Sequence, residues 1–183
     1  MRRILSFVAP LIVALSVAGL SLFGPAAAHD ENNSAKQWDF MAFEVKSWGE
    51  PVTRWRLTGL GGGSWTETRK ERFKPLGTYP LVWHEIADDP HRAASLAAIL
   101  ARLPDEAPDP ANCVNRMSDL PYGTIRLTRG ATTIEIAWNS GCMDESHQAF
   151  MAVLKEADAL VAAAGRAAPV LREERFAGGQ TSN

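Results

Sequence analysis

From Trp38 onward the chain alternates between apolar and polar positions. Met41, Phe43 and Val45 interleave with Ala42, Glu44 and Lys46, the period-two pattern of a half-buried strand. A turn at Gly49-Glu50-Pro51 precedes a second alternating run over residues 53–57. Gly59-Leu60-Gly61-Gly62-Gly63 then reads as a flexible hairpin connection, followed by a third strand over 64–72 and a fourth over 79–87. At Asp88-Asp89-Pro90 the period changes. Asp89 can cap the free N–H groups of a helix, and Pro90 suits the first helical position, where its missing N–H costs nothing. Leu96, Ile99, Leu100 and Leu103 make one apolar stripe before Pro104 stops it.

Residues 104–121 form a proline-rich loop. Two further strands, 124–128 and 132–138, turn at Arg129-Gly130. A second helix is predicted over 144–164, capped at its start by Asp144, with Phe150, Leu154, Ala157, Leu160, Val161 and Ala164 on one side and Gly165 as its C-terminal cap. The order ββββ-α-ββ-α predicts an α+β domain: a mostly antiparallel sheet of about six strands with two amphipathic helices on one face. The other face is left to water or to a partner.

The first 28 residues follow a different logic. Arg2-Arg3 precede an apolar run from Ile4 to Phe23, Gly24-Pro25 breaks it, and Ala26-Ala27-Ala28 supplies small residues for cleavage. This is the pattern of a secretory signal peptide, and it predicts a periplasmic or secreted protein with no membrane span after cleavage. The rival is an uncleaved anchor, since about 20 apolar residues can span a bilayer. The chain then divides into a signal peptide (1–28), a mobile polar segment (29–37), one domain (38–165) and a loose tail (166–183). In an exported chain the two cysteines, Cys113 and Cys142, are expected to form a disulfide.

Composition narrows the function further. With 46% hydrophobic residues, 22% charged, and 19 Lys+Arg against 21 Asp+Glu, the chain is an ordinary globular protein with no basic field for nucleic acid. The glycine run lacks the Gly-Lys-Ser/Thr of a phosphate loop. His29, His84, His91 and His147 show no zinc-binding spacing, so neither metal nor cofactor is assigned. Two chemical alternatives stand beside this reading. Cys142 at a helix start, with His147 as base, would serve a hydrolytic or thiol-dependent enzyme. His29, freed by signal cleavage, would offer its α-amine and imidazole to copper.

The six tryptophans are the unusual feature. Trp55 shares parity with Leu57, and Trp138 with Ile134 and Ile136, so both are expected in the core. Trp48 shares parity with Glu44 and Lys46, Trp65 with Glu67 and Arg69, and Trp83 with Glu85. Those three are therefore expected on the open face beside Arg54, Arg56, Arg126 and Glu135, although a single bulge reverses any one assignment. Trp and Arg dominate binding energy at interfaces. The expected function is a non-catalytic binding module of the cell envelope, gripping an envelope protein or glycan through Trp48, Arg54, Arg56, Trp65, Trp83 and Arg126. The structural alternative is a face laced with cross-strand Glu–Arg pairs, its tryptophans covered.

Overall fold

The computed structural model describes residues 37–69, 79–104 and 107–175. The alternation in the first half of the chain becomes four strands: β1 (Phe40–Ser47), β2 (Glu50–Thr58), β3 (Gly63–Thr68) and β4 (Pro80–Ile86). Helix α1 (Pro90–Leu100) follows, then a one-turn 3-10 helix (Pro110–Asn112), strands β5 (Tyr122–Arg129) and β6 (Thr132–Asn139), helix α2 (Glu145–Ala167) and strand β7 (Val170–Arg175). The seven strands form one antiparallel sheet in the order β6-β5-β1-β2-β3-β4-β7. This is the α+β class expected from the sequence. The signal segment, His29, residues 70–72 of the expected third strand and Gly178-Gly179 lie outside the described residues.

Hairpins build most of the sheet, but β6 and β7 lie at opposite edges. α2 joins them. A 23-residue helix is about 34 Å long, and six gaps between neighbouring strands add to about 29 Å. Its length matches the span it must cross. Its buried side chains Phe150, Met151, Leu154, Ala157 and Val161 meet Met41, Phe43, Trp55, Leu57, Ile125 and Leu127 of the sheet, with Leu96 and Leu100 of α1 completing the core. At the start of α1, Asp89 accepts hydrogen bonds from His91 N and Arg92 N, as the sequence implies.

Four expectations change. Residues 166–175 are not a loose tail, because β7 pairs with β4. Gly165 is not a cap: α2 continues to Ala167, and a Cβ at Gly165 would fall within the indole of Trp65. Glycine is used there for close approach. Trp65, expected on the open face, is buried on the helix face opposite Trp55. Asp144 does not cap α2 through its side chain. Its carboxylate instead accepts from Val114 N at 2.8 Å and from Asn115 N and Nδ2 at 3.1 and 3.0 Å. Those bonds hold it below the ordinary carboxylate range, the Val114 amide contributing most.

Candidate functional site

The register of β1 with its two neighbours assembles the open face. Ala42 pairs with Arg56 of β2 on one side and with Arg126 of β5 on the other. Side chains on paired residues share a face, so two arginines flank a small residue. Together with Phe40, Glu44, Arg54, Thr124 and Glu135 they line a hollow of about 380 Å³. A second hollow of about 350 Å³ shares Glu44 and Thr124 and continues past Lys46, Tyr122 and Asn139 to Pro110. The two follow β1 as one track.

Charge along this track is unevenly matched. Arg126 sits opposite Glu135 and bonds its carboxylate through both Nε and Nη2. Glu44 lies opposite Arg54, yet it pairs with Lys46 at 3.0 Å. The Arg54 guanidinium instead lies 5.6 Å from the centre of the Trp83 ring. Arg56 is exposed and makes no hydrogen bond or ion pair among the described residues. Among the described residues of this face the cross-strand Glu–Arg pairing of the structural alternative is thus present once, and the two guanidiniums beside it have no carboxylate partner there.

The tryptophans are placed differently from the sequence reading. Trp83 lies on the open face but is buried, with Arg172 of β7 4.2 Å from its ring centre in addition to Arg54. It holds arginines rather than offering its ring. Trp65 belongs to the core. Trp48 is 71% exposed and occupies the tip of the β1–β2 hairpin with Gly49, between the paired residues Ser47 and Glu50. Its φ is 54° and that of Gly49 is 81°. A two-residue turn with both φ positive favours Asn-Gly, and a bulky residue there costs about 1–2 kcal/mol. The Gly49 amide donates to Tyr122 Oη at 3.0 Å, which ties this strained, exposed indole to the far end of the track.

The loop before β5 is stapled as expected. Cys113 and Cys142 form a disulfide with Cα atoms 5.8 Å apart. The loop is further held by Met117 N to Gly141 O and Met143 N to Asn115 O, both 2.8 Å, and by Ser140 N to Pro121 O at 2.9 Å. This arrangement leaves Cys142 without a thiol for nucleophilic chemistry. His147 is buried, and its Nε2–H donates to the Asn139 carbonyl, so it orients the β6–α2 junction. Asp144 lies close to both sulfurs, but these are bonded to each other and its oxygens serve the loop amides.

One titratable group was not expected. Asp158 projects from α2 toward the sheet, where its Oδ1 accepts the Trp55 indole N–H at 3.2 Å. Burial pushes its pKa up to about 6, against the opposing pull of the Trp55 bond and of Arg166. The sequence signal was its spacing: four residues after Leu154 and three before Val161, within the apolar stripe. The raised value favours the protonated carboxyl in the folded state. Its contribution to stability is full below the ordinary value of 3.8 and is lost as pH rises through about 6. Asn does not titrate and keeps an acceptor for Trp55. Asp158→Asn should therefore gain about 2 kcal/mol over the wild type between about pH 4 and pH 8. Urea unfolding at both pH values checks this, and an equal difference at the two would contradict it.

Compared with protein-family models, characterised protein sequences and solved structures, the chain shows no match. No helix among the described residues is long and apolar enough to cross a membrane.

Proposed function

We propose that this protein is an exported, non-catalytic binding domain of the cell envelope whose open sheet face holds an extended anionic chain, an acidic segment of an envelope protein or glycan. The observation that carries the reading is the pair of guanidiniums, Arg54 and Arg56, that lack a carboxylate partner among the described residues beside the Ala42 hollow. Arg binds carboxylates and phosphates through parallel N–H bonds, and such charge-assisted bonds are the strong ones. The second hollow extends the surface along β1 toward Tyr122, long enough for a chain rather than a single group. The exposed Trp48 at that end supplies an aromatic contact, and its backbone strain is the sort retained at working sites.

Titration with an acidic oligosaccharide and with an oligoglutamate tests this. Arg56→Ser with Arg126→Ser should weaken binding at least about tenfold, with thermal stability nearly unchanged because both side chains are exposed. Trp48→Asn should weaken binding while raising stability by about 1 kcal/mol. Unchanged affinity in the arginine variant would refute the assignment of this face.

Export is supported by the N-terminal pattern and is compatible with the disulfide. Sequencing of the protein from an envelope fraction should begin at or near His29. Intact Met1 in detergent-extracted membranes would instead make the apolar run an anchor.

A further inference from the structure

On the side of the sheet that carries the helices, a cavity of about 460 Å³ opens between β1, β6, the stapled loop and α2. Its size falls within the roughly 300–1,000 Å³ of small-molecule sites. Phe43 and Trp138, stacked with ring centres 5.5 Å apart, form its sheet wall. Three of the chain's five methionines line it: Met117 from the loop, Met143 from the junction and Met151 from α2. Methionines adapt to varied apolar shapes, and sulfur packs well against aromatic rings. Against these apolar walls stands one carboxyl group, Asp158. Its Oδ1 is held by Trp55, while Oδ2 has no hydrogen-bond partner among the described residues. Of the other polar side chains in the lining, Ser140 and Gln148 donate to the Pro121 and Cys142 carbonyls. An apolar cavity with few polar groups is a recognisable ligand site, because the walls supply affinity and the polar groups supply orientation.

We propose that this cavity binds a small apolar molecule bearing an amine, with its apolar body among Phe43, Trp138 and the methionines and its ammonium at the free oxygen of Asp158. An ammonium brings donors only, which is what an ionised carboxylate accepts. The aromatic walls add attraction for a cation. Lys155, one turn before Asp158, also lines the cavity and is exposed. Its flexible stem lets the charged head remain in water. If that ammonium were instead the recognising group, carboxylate ligands would be preferred, and the proposal would fail on their ranking.

The probes are 4-phenylbutylamine, 4-phenylbutan-1-ol and 4-phenylbutanoate, followed through the methionine methyl resonances of the full chain near neutral pH. The amine should bind about tenfold tighter than the alcohol and tighter still than the carboxylate. It should shift the Met117, Met143 and Met151 methyls more than that of Met41, which does not line the cavity. Asp158→Asn should lower amine affinity about tenfold and leave the alcohol within about twofold. An unperturbed Met41 methyl in the free variant verifies its fold. Equal affinities for amine and carboxylate, a carboxylate preference, or no methyl shifts at millimolar amine would overturn the proposal. So would amine affinity unchanged by Asp158→Asn in the folded variant.

Discussion

Replacing Trp65 with alanine is expected to cost the domain about 3–5 kcal/mol, the scale for emptying a large aromatic from a core. That is a large share of the 5–15 kcal/mol typical of a domain. The reason is the number of elements that meet on this indole. It lies opposite Trp55 in the sheet, its ring centre is 5.1 Å from that of His84, and Gly165 of α2 packs directly on it. The reciprocal change makes the argument specific. Gly165→Ala improves intrinsic helix propensity by about 1 kcal/mol, yet its Cβ meets the ring, so a net loss of about 1–3 kcal/mol is expected. Chemical denaturation of both variants checks this. Near-wild-type stability of Trp65→Ala would place the indole outside the core and return it to the binding face.

Replacing both Cys113 and Cys142 with serine is expected to cost about 3–4 kcal/mol, the chain-entropy value for closing a loop of this length. The sulfurs are 29 residues apart in sequence and close a segment that begins with the loop carrying Met117 and Pro121. The loop before β5 contributes little to the core: Val114 and Met117 are exposed. Its position depends on the disulfide and on the few backbone bonds around Gly141, Asn115 and Pro121. Unfolding of the double variant should shift accordingly, and two free thiols in the native wild-type protein would contradict the bridge. The loop also forms one wall of the cavity beside Asp158, so the variant should lose amine binding along with stability.

The alternation of β1 and β2 was legible because neighbouring hairpins give those strands one covered and one open face, and Arg54, Arg56 and Arg126 fell where parity placed them. Trp65 did not, because Glu67 and Arg69 served as markers of the outer face. Glu67 in fact lies on the helix side at the end of β3, half-buried, where it bonds Arg69 at 2.8 Å. Charge marks solvent at a strand centre better than at its rim, where a long side chain reaches water from either face. Trp83 was on the correct face, but its burial depends in part on Arg172, which arrives with β7 from the segment read as a tail. Trp48 escaped parity through a bulge at Val45/Lys46 and a turn placed one residue earlier than expected. Asp158 was visible as a carboxylate in an apolar stripe, though nothing local shows that Trp55, 103 residues away, holds it.

Binding of an anionic chain to the open sheet face, as proposed, is read out by an NMR titration that follows arginine Nε–H resonances with an acidic oligosaccharide. Saturable shifts are expected at Arg54, Arg56 and Arg126, diminishing with added salt, with little change at Arg92 and Arg102 on the helix side. Shifts confined to the helix side, or no saturable change at any arginine, would contradict the proposed binding.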